Sequence, residues 1–360
     1  MINLGILPLP VLYIVFTAGM FLLSIVVNGL LLKFSLNLGS KNESQVRWAS
    51  VSKPAFGGIS FFILFLLTVV FYAIFFEKEP MIEDAKFLGL FAATSMGFMM
   101  GLADDAYNTK PFIKFAVQFA CAIVLIITGN VIQVFPYEWL NIFTTFFWVV
   151  GLMNSINMLD NMDGITTSVS IVISIAAAML LLFTNDYQSL NMVILIGVIS
   201  ALSGFLYYNW NPSRMYMGDS GSQFLGVFLA GIGIQYFWNE PDYYGQLIPS
   251  KQLLIAILIF VVPISDTFTV SVNRIMKGKS PFVGGKDHTT HHLSYLGLTD
   301  RKVAIVMIAI SLFTMVLSVF IMNNIRDWKI IHTLIFAAIF LAILSSLYAT
   351  SRISKSKSTL

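Results

Sequence analysis

Eleven apolar runs of about 20 residues punctuate this chain, and that is the length an α-helix needs to cross a hydrocarbon core. Their approximate limits are 9–32, 57–76, 86–102, 112–129, 139–158, 165–184, 190–208, 221–238, 252–272, 303–322 and 330–350. Hydrophobic residues make up 57% of the chain and charged residues 11%, with a mean hydropathy of +0.82, which excludes an ordinary soluble domain. The expected fold is an all-α polytopic membrane protein, one membrane-embedded domain over 1–360 with a disordered tail at 351–360. The first residues, M-I-N-L-G-I-L-P, carry no basic charge and no small-residue cleavage site follows the first run. That run is therefore expected to stay as a span, with the N-terminus outside.

Charge distribution gives the same orientation independently. Loops after odd-numbered runs, together with the tail, hold 16 of the 21 basic residues, which puts those loops and the C-terminus in the cytoplasm. Topology thus accounts for the net charge of +3, and no nucleic-acid partner is expected. Cys121, the single cysteine, falls inside the fourth run and reads as a packed thiol. It excludes an internal disulfide and any cysteine-based metal site.

The longest polar stretch, Asn273 to Lys302, contains His288, His291 and His292 beside Arg274, Lys277, Lys279, Lys286, Arg301 and Lys302. A topology loop needs positive charge but not histidines, whereas a donor cluster of this kind suits anionic oxygens. Gly284-Gly285 allows backbone to approach a ligand closely, and Pro281 should stop the preceding helix. Within the ninth run Pro263 breaks the hydrogen-bond ladder, and Asp266 is an acid in an apolar span, by default a functional hypothesis. Asp266, Val270 and Arg274 lie four apart, which suggests an Asp266–Arg274 network.

Four further segments follow spans one, three, five and seven. Lys53, in V-S-K-P-A-F-G-G, either marks a plain turn or contacts a nucleotide. Asp104-Asp105 sits before Lys114; one aspartate could be a helix cap, but two leave a surplus charge that favours a metal or a basic partner. Asn154, Asn157, Asp160 and Asp163 recur every third residue, predicting a shared polar stripe that either binds a ligand or bonds a neighbouring helix. Gly218-Asp219-Ser220-Gly221-Ser222 opens the eighth span, gathering a carboxylate and two hydroxyls among free backbone N–H groups where phosphates bind. By parity all these segments and the histidine loop emerge on one face. Carboxylates meeting a basic loop there suit Mg²⁺-assisted work on a phosphoanhydride.

These segments together resemble the polyprenyl-phosphate N-acetylhexosamine-1-phosphate transferases of glycosyltransferase family 4. The resemblance rests on Asp104-Asp105, on N-x-x-N-x-x-D-x-x-D-G from Asn154 to Gly164, on M-G-D-x-G-S from Met217 to Ser222, and on the histidine loop, in that order. The loop lacks the three consecutive histidines of the muramoyl-pentapeptide branch, so it looks more like the branch using UDP-N-acetylglucosamine. The resemblance implies transfer from a UDP-N-acetylhexosamine to undecaprenyl phosphate with release of UMP, on the cytoplasmic face of a bacterial plasma membrane. It implies Mg²⁺, with Mn²⁺ able to substitute, and allows a homodimer in the lipid bilayer. Asp219, helped by Asp105, would hold the metal, and Asp104, Asp105, Asp163 and His291 would be catalytic. Lys53, Asn157, Asp160, Asn209 and Tyr216 would lie near the nucleotide; Lys114, Arg274, His288 and His292 would hold phosphates and sugar. Two other classes fit the composition. A secondary transporter would place its acids at mid-bilayer and show inverted repeats, and no repeat is detectable; a lipid-phosphate scaffold would need no metal.

Overall fold

The structure, a computed structural model, describes residues 8–38, 53–75, 83–183, 189–280 and 285–357. Pro281, Gly284, Lys41, Arg47, Lys78 and the last three tail residues lie outside them. The described residues form thirteen α-helices. They are α1 (Leu9–Leu38), α2 (Gly57–Phe75), α3 (Ala85–Tyr107), α4 (Pro111–Ile127), α5 (Glu138–Leu159), α6 (Ile165–Phe183), α7 (Leu190–Asn209), α8 (Gly218–Gly233), α9 (Pro249–Ile259), α10 (Val261–Ile275), α11 (Thr289–Tyr295), α12 (Asp300–Asn324) and α13 (Ile330–Lys357). One π-helical turn, Ile234–Trp238, continues α8.

Among the described residues, eight helices are long and apolar enough to cross a membrane, and α9 with α10 makes a ninth if the bent pair is one span. The runs expected at 112–129 and 221–238 are α4, of 17 residues, and α8, of 16, both short of the usual crossing length. Length and composition therefore support eight or nine of the eleven expected spans.

Local chemistry sets several boundaries. Asp84 accepts hydrogen bonds from the backbone N–H groups of Lys86 and Phe87 and so starts α3. Ser189 does the same for α7 and Thr299 for α12. The 77° bend between α9 and α10 falls at Phe260. Pro263 has no N–H to give the carbonyl four residues earlier, Ile259, and its ring crowds that carbonyl, so the helix breaks there.

Helix α8 is the axis of the bundle. Every residue from Ser220 to Gly233 is buried, and α2, α3, α5 and α6 pack around it. Leu225, Phe228 and Leu229 are among its fully buried side chains, as a helix apolar on all sides requires. Helices α1 and α13 stand at the rim, where exposed Leu22, Leu30, Leu334 and Leu341 offer an apolar surface that suits lipid.

Polar groups gather at the two ends. At one end Lys251, fully buried, pairs with the buried Asp242 and donates to the Ile325 carbonyl at 2.8 Å, so this loop acid has a purely structural partner. At the other end α3, α5, α7 and α10 finish, α4, α8 and α11 begin, and the segment before α2 joins them. Helix α13 also reaches this end. It runs on to Lys357 where a disordered tail from 351 was expected, because Ser351 and Ser354 are buried against the bundle. Asn273 donates to Ser351 Oγ at 3.1 Å, and Ser354 Oγ lies 2.7 Å from His292 Nδ1.

Candidate functional site

The start of α8 is the centre of the polar end. Tyr216 N–H donates to the Pro54 carbonyl at 2.9 Å, while Gly57 and Gly58 donate to the carbonyls of Tyr216 and Met217. The two loops thus run together, and they carry Lys53 and Tyr216 to the same place. Helix α3 closes in from another side. A methyl group on Gly101 would sit 2.2 Å from the Asp219 carbonyl oxygen, so only glycine allows this approach.

Asp105 is turned to the backbone. Its two carboxylate oxygens accept the N–H groups of Asp219 and Ser220 at 2.8 and 2.9 Å, as a cap supplied from another helix. Gly218, at φ +79°, leaves room for it, since a Cβ there would lie 2.7 Å from Asp105 Oδ2. The sequence reading placed Asp105 on a metal; the structure shows it bracing the segment that carries Asp219.

Asp104 lies with Asp219 instead, their carboxyl groups within hydrogen-bonding reach of each other. Thr109 fixes Asp104 by donating its backbone N–H and its hydroxyl to Oδ1, both at 2.7 Å. Asn157 fixes Asp219, donating to Oδ1 at 2.8 Å and to Ser222 Oγ at the same distance. Two carboxylates about 4 Å apart repel by about 4 kcal/mol at the dielectric of a protein surface. Lys114 offsets this: its ammonium is paired with Asp104 and stands 3.7 Å from Asp219 Oδ2. One turn deeper Gln118, Asn154 and Gln223 hydrogen-bond as an amide trio, a floor that fixes α4, α5 and α8 together.

The Asn154–Asp163 stripe does not stay in one line. Helix α5 ends at Leu159, so Asn154 joins the amide floor and Asn157 faces Asp219. Asp160 and Asp163, beyond the helix, enter a separate cleft. That cleft, of about 190 Å³, is lined by Lys53, Asp160, Asp163, Asn209, Tyr216 and Asp300 among others. Asp163 accepts from Ser213 N–H at 2.9 Å and from its hydroxyl at 2.7 Å, and Lys53 reaches both Ser213 and Asp163. The Lys53 ammonium also stands 5.1 Å from the centre of the Tyr216 ring. Asn209 lines the cleft but its amide is engaged elsewhere. It accepts from Thr167 and Gly164 and donates to the Met215 carbonyl, tying three segments together.

The histidine loop borders this region, since Thr290 Oγ1 donates to Asn161 Oδ1 and Arg301 donates to the Asn211 carbonyl at 3.1 Å. The expected Asp266–Arg274 network is absent. Eight residues along a helix span about 12 Å, too far for direct pairing, and each found a nearer partner. Arg274 makes a bidentate pair with Asp287, at 3.0 and 2.7 Å. Asp266 Oδ2 lies 2.8 Å from His288 Nδ1, and Oδ1 accepts the Thr289 N–H at 2.7 Å. Burial alone would raise the Asp287 carboxyl, but the Arg274 fork outweighs it and holds the group below its usual range. Burial, with the neighbouring His288 ring adding to it, pushes the His291 imidazole down to about 4, so the His291 ring is neutral at pH 7.

Among the described residues no group of three or more His, Cys, Asp or Glu side chains forms a metal cage. Mg²⁺ needs none: it takes one or two carboxylates and completes its shell with water and phosphate oxygens. Asp104 and Asp219 are a donor set of that kind, and the cationic Lys114 already sits between them. Thr109, Ser213 and Asp287 were not singled out from sequence. Thr109 and Ser213 stand five and fifty residues from the carboxylates they serve, and only the former spacing is local enough to read.

Residues 87–237, which carry α3 to α8, match Glycosyl transferase family 4. The chain is a multi-pass membrane protein similar to this family. Its branch is left open by the relatives. The chain is 27% identical over 302 residues, 81% of its own length and 79% of the other's, to the Bacillus subtilis (strain 168) protein named "Probable undecaprenyl-phosphate N-acetylglucosaminyl 1-phosphate transferase". It is 28% identical over 270 residues, 70% of its length and 77% of the other's, to the phospho-N-acetylmuramoyl-pentapeptide-transferase of Streptococcus pneumoniae serotype 19F (strain G54). A decaprenyl-phosphate N-acetylglucosaminephosphotransferase of Mycobacterium leprae (strain TN) matches at 27% over 232 residues, 58% of each chain. The matched residues thus coincide with the helices that build the carboxylate site and most of the cleft.

Proposed function

We propose that this protein transfers an N-acetylhexosamine 1-phosphate, with N-acetylglucosamine the favoured sugar, from its UDP conjugate to undecaprenyl phosphate. A lipid-phosphate oxygen attacks the β-phosphorus, the bond from that phosphorus to the bridging oxygen breaks, and UMP leaves. The observation that carries this reading is the Asp104–Lys114–Asp219 cluster, fixed by Thr109 and Asn157 at the same end as the Lys53–Asp163–Tyr216 cleft and the histidine loop. An acyl or sugar pocket alone has no use for that set of charges.

The cleft suits a nucleoside. Tyr216 offers a ring face, Asp163 and Lys53 a hydrogen-bonding edge, and the volume fits a planar base. Asp104 and Asp219 would hold Mg²⁺, which when bound neutralises phosphate oxygens. Lys114, released from Asp104 as phosphate enters, would then face the incoming anion. The phosphate nucleophile has a second pKa of about 6, so it arrives largely dianionic and needs little help from a base. Catalysis is then a matter of holding two anions together, and no aspartyl-phosphate intermediate is required. Arg274, His288 and His292 would hold the diphosphate and sugar. With eleven spans, the N-terminus outside and the C-terminus inside, this face is cytoplasmic, as the loop charges support.

The test is UMP release by purified protein given UDP-N-acetylglucosamine, undecaprenyl phosphate and Mg²⁺. Release should require all three and vanish in Asp219→Asn, whereas UMP formed in equal amount to enzyme without the lipid would oppose direct attack. A panel including the UDP-muramoyl-pentapeptide decides between the two activities named for the relatives.

A further inference from the structure

Asp266 lies in α10 with 1% of its surface exposed, and it is a carboxylate with few ways to be stabilised there. It receives the Thr289 N–H at 2.7 Å and faces His288 Nδ1 at 2.8 Å. A carboxylate can only accept, so the proton between them belongs on Nδ1. The His288 ring is then committed on one side and can meet a substrate oxygen through Nε2 alone. Its other neighbours are the His291 ring, with centroids 5.4 Å apart at 70°, and Asp287, which Arg274 already engages through both oxygens.

We propose that Asp266 is a positioning residue for the transfer reaction, acting through His288. It fixes the ring with Nδ1 inward, presents the unprotonated Nε2 as an acceptor to a sugar hydroxyl of the UDP conjugate, and pins the start of α11 through Thr289. This rests on the transferase reading above. It goes beyond it in giving the buried membrane acid a task and His288 a defined tautomer. A carboxylate that merely anchored the loop would need the Thr289 contact and not the histidine.

Nitrogen NMR of ¹⁵N-histidine-labelled full-length protein in micelles, with the His288 signal assigned by its loss in His288→Gln, reads the tautomer without any activity. Wild type should show a proton on Nδ1 of His288, and a signal from the Nε2-protonated form overturns the proposal whatever the variants do. In turnover assays Asp266→Asn, which keeps an acceptor for Thr289, should lower kcat by about 10- to 100-fold, as loss of an orienting partner does, with little change in KM for undecaprenyl phosphate. Asp266→Glu should recover part of that loss. His288→Gln should lose as much, and the Asp266→Asn/His288→Gln double variant no more than either. Additive losses, or wild-type turnover in Asp266→Asn, overturn the proposal. An inactive wild type would instead count against the transferase reading, and the tautomer measurement would still decide the role of Asp266.

Discussion

At the scale of single residues, the most informative side chain is Lys114. An ammonium between two carboxylates holds the place that a divalent ion would compete for. Lys114→Gln should therefore respond more strongly to magnesium than wild type: a lower unfolding temperature without the ion, and a larger rise when millimolar MgCl₂ is added, read by thermal unfolding in detergent. An equal rise in both proteins would mean that the lysine and the ion do not share a site. His291 makes a pH prediction. Its folded value of about 4 lies below the ordinary 6.5, so between those limits the unfolded chain binds the extra proton. The sign follows: stability from this group is complete above pH 6.5 and is lost as pH falls toward 4. Unfolding temperatures measured over that window should drop less steeply in His291→Gln.

Among helices and loops, α13 carries a consequence that its apolar sequence hides. Its last turns hold Ser354 against His292 and Ser351 against Asn273, so the helix rim steadies the histidine loop. A chain ending at Thr350 should still insert, because the apolar stretch is intact. Its KM for the UDP-sugar should rise roughly tenfold, the equivalent of one hydrogen bond. Unchanged kinetics would relegate the last turn to packing. This tail shows why part of the site was illegible from sequence. S-R-I-S-K-S-K reads as polar and unstructured, and only the three-dimensional neighbours Asn273 and His292 make its serines buried. The carboxylate cluster was legible, since Asp104, Lys114 and Asp219 are motif residues placed at span ends by parity. Roles within it were less so. Asp104 and Asp105 look alike in the chain, and a helix turn of about 100° between them sends one to Asp219 and the other to backbone amides. Asp266 and Arg274 were correctly seen as polar residues on one helix face, but their partners Asp287 to Thr289 come from a loop whose path no periodicity encodes.

For the molecule as a whole, topology is the point to test. Cys121 is buried, 3.4 Å from the Ala93 carbonyl oxygen, so a Cys121→Ala background leaves a surface free of native thiols. Cysteines placed at Lys110 or Lys279 should react with a membrane-impermeant maleimide only from the cytoplasmic side, and cysteines at Glu138 or Tyr243 only from the other. Labelling of Lys110→Cys and Glu138→Cys from one compartment would dismantle the orientation drawn from loop charge. Long apolar runs make the eight helices of crossing length legible to a reader of the chain. The length of α8 is less predictable, because a helix enclosed by protein need not match the thickness of lipid.

That enclosure bears on how the protein is made. The sixteen residues of α8 cover about 24 Å before the π-helical turn that continues it, and Gly218, Gly221, Gly226, Gly231 and Gly233 thin its surface, so lipid is a poor first environment for it. The helices it packs against, α2, α3, α5 and α6, all leave the ribosome before it does. By the time α8 reaches the translocon its berth has been synthesised, and the order of elements along the chain doubles as an assembly schedule that a circular permutation would disturb.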